Sequence, residues 1–217
     1  MKARFWTVMK QIGCPVRHQT VIDVYDYWNR LRGAGEAPLK SQIEPSSLGH
    51  FLPSLFILEK SGDDIITFRL AGAKISDLFG RDLRDESFSD LFGDGYSATI
   101  EATIAGAMRH TMPALINVTG YSTAGHRAAF EIALMPLRSE DGHCERMLGV
   151  IAAMTVATWL EVVPLDFLVL DRCRALRSFQ GAPDGVWPAA PRTPRQQGLA
   201  GILGRVVSSF RPGSGAR

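Results

Sequence analysis

Residues 65–92 constrain the fold of this chain more than any other stretch. The segment begins as a strand, because residues 65–70 (IITFRL) alternate between a wholly apolar face and a face with polar side chains. Gly72 interrupts the strand, and apolar residues at helical spacing within 73–79 predict a short helix that ends at Gly80. A strand followed directly by short helices indicates helices that fold back over a sheet and leave a small cavity.

The rest of the chain predicts four more strands and one longer helix. A helix is expected over 96–110, where isoleucines and alanines recur on one side. Short turns join most of the strands, so the sheet should be antiparallel and the fold class α+β. The predicted strands beyond the first segment are 55–59, 113–119, 127–137 and 146–156. Residues 165–170 are predicted to form either an extra strand or a closing helix.

Several short motifs in this order resemble those of a bacterial PAS-type domain family. They are Leu52-Pro53, the strand 55–58, FRLAG at 68–72, FGRDL at 79–83, Met135-Pro136-Leu137 and Leu148-Gly149. The resemblance covers Thr20 to Ala157. It implies a PAS-like sheet of five antiparallel strands with short helices on one face, and a fold of this kind does not by itself define a function.

The sequence divides into four regions. Residues 1–19 are expected to be a flexible N-terminal arm, and residues 20–160 the PAS-like domain, including an N-terminal flanking helix that begins at Thr20 as N-cap. Residues 161–180 are a C-terminal extension. Residues 181–217, which are rich in proline and glycine, are expected to be mostly disordered, with a short amphipathic segment at 199–210.

Two apolar stripes are candidate partner-binding surfaces. The flanking helix presents Val24, Trp28 and Leu31 at helical spacing, which suits either packing on its own domain or a dimer contact. The tail segment presents a second stripe, for which disorder, a partner groove or an anionic membrane surface remain alternatives. Its apolar residues are Leu199, Ile202, Leu203, Val206 and Phe210.

Composition excludes several classes of protein. The chain has 217 residues, 46% of them hydrophobic, and a formal net charge of +2, so we expect no nucleic-acid partner. It shows no signal peptide and no apolar run long enough to span a bilayer. Three widely spaced cysteines, Cys14, Cys144 and Cys173, fit a reducing compartment. We therefore expect a cytoplasmic protein.

Motifs for cofactors and catalysis are largely missing from the sequence. The histidines lack zinc-ligand spacing, and His110 follows the predicted long helix, although a PAS heme ligand usually lies within it. No cysteine falls in the helical region, where a flavin photoadduct would need one. There is no nucleophile elbow, P-loop or Rossmann pattern. The cofactor therefore stays unknown, with no heme, flavin or metal signature, and no catalytic residue is assigned.

These observations favour a non-catalytic PAS-type sensory or protein-interaction module that could bind a small apolar ligand. A ligand-free scaffold, dimeric or bound to a signalling partner, is the first alternative, and a small α+β enzyme of the cyclase or isomerase type is the second. Thirteen apolar residues are candidates to line the ligand-binding cavity, and the same residues also suit a simple packed core. They are Phe68, Leu70, Ile75, Leu78, Phe79, Phe88, Leu91, Ile100, Ile104, Met108, Ile116, Ile132 and Met154.

Overall fold

The computed structural model describes residues 16–62 and 65–176, which form one antiparallel sheet with helices on both faces. The sheet has six strands in the order β2-β1-β5-β4-β3-β6. The strands are β1 (Leu55–Lys60), β2 (Ile66–Ala71), β3 (Ala114–Ser122), β4 (Arg127–Leu137), β5 (Arg146–Ala153) and β6 (Leu165–Ala175). The antiparallel α+β fold expected from the sequence is confirmed.

Short helices connect the strands on one side, as the spacing of apolar residues predicts. The α-helices are α1 (Gln19–Arg32), α2 (Pro45–Leu48), α3 (Ala73–Phe79) and α4 (Ser97–Arg109), and 3-10 helices occupy Lys40–Gln42, Gly49–Ser54 and Phe88–Leu91. Gly80 closes α3 in the left-handed conformation with φ 65°, which a glycine adopts without steric cost.

Two buried clusters lie on opposite faces of the sheet. The inner cluster, which includes Phe68, Ile104 and Ile132, packs the sheet against α3, α4 and the 3-10 helix Phe88–Leu91. The outer cluster, which includes Trp28 and Met135, packs the other face against α1. Residues of β4 alternate between the two clusters, so this central strand is almost entirely buried.

The strand count differs from the five that the family resemblance implies. Residues Leu165–Ala175 form β6, which pairs along β3 from Ala114↔Ala175 to Ser122↔Leu165. Leu168 of this strand is fully buried in the inner cluster. The extra-strand alternative therefore describes residues 165–170, and the C-terminal extension joins the sheet.

A β-bulge changes the direction of one predicted core residue. Ile57 pairs with Leu70 and Leu58 pairs with Phe68, so Arg69 has no partner in the ladder. One extra residue reverses the alternation of side chains along a strand. Leu70 consequently shares the face of Ile57 and is 48% exposed, whereas simple alternation places it inside.

The flanking helix begins slightly earlier than its sequence indicates. His18 is the N-cap, and its Nδ1 accepts a hydrogen bond from the Thr20 amide at 3.2 Å. Residues 16–18 of the expected arm thus belong to the folded unit. The remainder of the arm and the tail beyond residue 176, with its segment at 199–210, lie outside the described residues.

Candidate functional site

The predicted ligand-binding residues come together, with two exceptions, in the inner cluster. Leu70 points to the other face because of the bulge, and Met154 is half-buried just beyond β5. The others are at most 6% exposed: Phe68, Ile75, Leu78, Phe79, Phe88, Leu91, Ile100, Ile104, Met108, Ile116 and Ile132. Sequence periodicity therefore predicted correctly which residues face the interior of the inner cluster.

Phenylalanine rings fill the middle of the inner cluster. The ring of Phe88 lies with its centroid 5.7 Å from Phe56, 5.5 Å from Phe68 and 5.5 Å from Phe92. These separations are those of directly packed aromatic rings. Phe56 is not among the predicted ligand-binding residues, although its place in the predicted first strand is that of a core residue. The predicted ligand residues thus pack mainly against one another.

The candidate partner residues of α1 pack on the outer face of the same sheet. Val24 and Trp28 are fully buried, and the indole N–H of Trp28 donates to the Pro136 carbonyl at 2.8 Å. Leu31 is half-buried beside them. The apolar stripe of α1 therefore packs on its own domain, which is one of the two alternatives for it. In this arrangement Val24 and Trp28 are not accessible to a second chain.

A buried carboxylate holds the start of α1. Glu131 on β4 has no exposed surface, and its carboxylate accepts the backbone N–H of Arg17 at 3.0 Å and that of His18 at 2.9 Å. The side-chain amide of Asn117 lies 3.5 Å from the same group. A buried charge requires such hydrogen bonds. Glu131 therefore faces the start of α1 on the outer side of the sheet.

A cavity of about 300 Å³ lies at the end of β5. It is lined by the start of α1, the end of the 3-10 helix Gly49–Ser54, α3, and the end of β5 with the connection that leads to β6. Of the predicted ligand residues, only Leu78 lines it. Sequence reasoning missed this site because its residues come from four separate segments and no local pattern connects them.

One ion pair lies in the lining of this cavity. The ammonium of Lys74 on α3 is 3.3 Å from the carboxylate of Glu161, and the two side chains are 49% and 39% exposed. Glu161 has a φ of 65°, an uncommon backbone conformation for a residue with a side chain. His18, which caps α1, lines the same cavity.

The environments of both described cysteines, Glu59 and His110 have structural explanations. Burial raises the pKa of the Cys144 thiol to about 11 and also raises the pKa of Cys173, which makes both thiols poor nucleophiles. Burial favours a higher pKa for Glu59, but hydrogen bonds and charge from Arg146 and Arg69 outweigh it and hold the pKa low. His110, weighed above as a heme ligand, is exposed at the C-cap of α4.

Residues 16–62 and 65–176 contain neither a metal-binding cluster nor a membrane-spanning helix. Their histidine, cysteine and carboxylate side chains form no group of three that could hold a metal ion. No helix in that part of the chain is long and apolar enough to cross a membrane.

Comparison with known proteins gives one family match. A family model described as PAS domain matches residues 16–152, which is more than half of the chain. No curated protein matches the sequence. The match begins just before α1 and ends within β5, so it covers the cavity in part and excludes β6.

Similar solved structures share little sequence with this chain. A light-oxygen-voltage domain studied with a flavin analogue has 17% identity and a TM-score of 0.40, over 51% of this chain and 83% of that one. A PAS domain from Colwellia psychrerythraea has 14% identity and a TM-score of 0.39, over 51% and 96%. The light-state Aureochrome1 LOV domain has 15% identity and a TM-score of 0.40, over 51% and 88%.

Proposed function

Because this chain belongs to the PAS domain family over residues 16–152, we propose that it is a non-catalytic sensory or signalling module. In this proposal the inner face of the sheet senses a change and α1 on the outer face reports it. The partner is a signalling protein or a second copy of the chain, in a bacterial cytoplasm. The unpaired thiols of Cys144 and Cys173 support a reducing compartment.

The observation that carries the proposal is the position of β4 between the two layers. Phe130 and Ile132 of this strand pack in the inner cluster. Glu131, the residue between them, faces outward and holds the backbone at the start of α1. A shift of β4 in response to inner packing would therefore move the group that anchors α1, because interiors are close-packed and transmit strain.

This coupling predicts that a small change on the inner side of β4 loosens α1. Ile132→Val removes one methylene from a fully packed site, at a cost of about 0.5–1.5 kcal/mol. We expect faster amide hydrogen exchange in peptides that cover α1, measured by mass spectrometry. Ile75→Val is the matched control, since it removes the same group from the inner cluster but on α3.

An equal rise in α1 exchange in both variants would indicate only a global loss of stability. That result, or unchanged exchange in Ile132→Val, would contradict transmission through β4.

A ligand-free scaffold is the second candidate, and the ring-filled interior favours it. Native mass spectrometry beside the denatured sample separates the two candidates. A mass excess that disappears on denaturation supports a sensor with a bound molecule, and a bare mass supports the scaffold.

A further inference from the structure

The cavity at the end of β5 faces the edge of that strand. Ile151 and Ala153 belong to or pack against the inner cluster, whereas Ala152 belongs to the outer cluster. All three nevertheless line the same cavity. Since successive side chains point to opposite faces of a sheet, a space that touches all three lies beside the strand and not above one face.

The edge of β5 is open at this point because its neighbour β1 begins too late. The first residue of β1, Leu55, pairs with Val150, so Ala153 has no strand beside it on that side. The Met154 N–H donates to the Ala129 carbonyl of β4. Peptide groups alternate in direction along a strand, and the N–H of Ala153 therefore points toward the cavity.

The charged side chains that line the cavity are Lys74 and Glu161. Lys74 supplies an ammonium, whereas the backbone N–H groups of Arg17 and His18 at the start of α1 are already bound by Glu131. The one opposing carboxylate is Glu161, paired with Lys74 at 3.3 Å. Half-exposed ion pairs of this kind are weak, so a carboxylate from solution can take the place of Glu161 on Lys74.

The other lining residues are mainly apolar and include Leu78 and Leu160. We infer that this cavity binds a small carboxylic acid with a short apolar tail. Its carboxylate accepts hydrogen bonds from the Lys74 ammonium and the Ala153 N–H, and its tail packs on the two leucines. A volume of about 300 Å³ is at the lower limit for ligand pockets, which suits a ligand of this size.

The inference rests on the proposed signalling function, since it names the class of ligand that the module senses. His18 connects the cavity with α1. It lines the cavity, its Nδ1 caps α1, and its backbone N–H donates to the Glu131 carboxylate. A ligand in contact with His18 changes the surroundings of the residue that holds α1 on the sheet.

Hexanoate is the probe, with hexanol and hexylamine as molecules of the same chain length and different charge. We expect the full-length protein to bind hexanoate more tightly than either control, as measured by calorimetry and by the shift of the Ala153 amide resonance. Lys74→Gln should weaken hexanoate binding about tenfold, because a charge-assisted hydrogen bond is lost. Glu161→Gln should strengthen binding severalfold, because the competing carboxylate is removed.

The two substitutions break the same ion pair, so a purely structural role would change hexanoate binding equally in both variants. That result overturns the inference, as does hexanol or hexylamine binding as tightly as hexanoate. Hydrogen exchange of α1 with and without hexanoate separates this inference from the proposed function. If hexanoate binds and α1 exchange does not change, the binding site is supported and signalling through α1 is contradicted. If hexanoate does not bind, only the binding site is contradicted.

Discussion

At the scale of single residues, Glu131 has the most demanding position in the described structure. It is fully buried on β4 and accepts backbone hydrogen bonds from Arg17 and His18. A charged carboxylate is costly to bury unless such donors surround it. Its hydrogen bonds therefore hold the backbone just before α1 against the sheet.

Glu131→Gln keeps the shape of the side chain and removes its charge. We expect the free energy of unfolding to fall by about 1–3 kcal/mol, because hydrogen bonds to a charged acceptor are the stronger ones and the amide turns a donor toward the same N–H groups. Urea denaturation measures the change. Glu140→Gln on the exposed surface is the control, and equal stability of the two variants would show that Glu131 does not anchor α1.

Glycines in the family-like motifs also have physical reasons at this scale. A Cβ on Gly149 would lie 2.1 Å from Cε2 of Phe56, and a Cβ on Gly72 would lie 2.3 Å from the Leu52 carbonyl oxygen. Both positions accept only a hydrogen atom, because real Cβ contacts are not this close. The glycine of Leu148-Gly149 thus packs against Phe56 of β1, and the glycine of FRLAG packs against the 3-10 helix that precedes β1.

At the scale of elements, β6 is the main addition to the matched family region. It lies beyond residue 152, where the family match ends, and covers the edge of β3. Leu165, Leu168 and Leu170 of this strand are buried in the inner cluster. The strand therefore contributes to the core and pairs with β3, so that β6 and not β3 is the edge strand at this end of the sheet.

Leu168→Ala should destabilise the whole domain. We expect a loss of about 2–5 kcal/mol in the free energy of unfolding, the usual cost of truncating a buried leucine. Val169→Ala, at a half-buried position of the same strand, is the control and should cost less. Circular dichroism and tryptophan fluorescence should report one shared urea transition. A separate early transition for Leu168→Ala would mean that β6 folds independently of the sheet.

At the scale of the whole molecule, the described part of the chain has a sheet covered on both faces. The inner face is filled by aromatic rings, and the free volume of the cavity lies at the end of β5. The packed interior therefore stabilises the fold, whereas the proposed binding site lies at the end of β5. The residues that hold the fold are then largely distinct from those proposed to bind a ligand.

Phe88→Ala should convert the filled interior into an apolar cavity. The variant should lose about 3–5 kcal/mol of unfolding free energy, and it should recover part of this loss when benzene is added, because a dry apolar cavity binds small apolar molecules. Thermal unfolding with and without benzene measures both effects. Wild type is the control, and an equal effect of benzene on both proteins would show that the interior already holds open space.

Local sequence patterns determined much of this fold. Residues 127–137 were predicted to form a strand, in which alternate side chains share a face, and Phe130, Ile132 and Leu134 all lie in the inner cluster. The helix expected over 96–110 is observed as Ser97–Arg109. These features are readable because side-chain periodicity depends on neighbouring residues alone.

Tertiary structure alone decided the features that depend on distant residues. The bulge at Arg69 turns Leu70 outward because β2 must match the register of β1. Glu131 meets His18 although 113 positions separate them, and the cavity unites Lys74 with Glu161. No local sequence pattern predicts such contacts, because they form only when strand pairing and packing bring separate segments together.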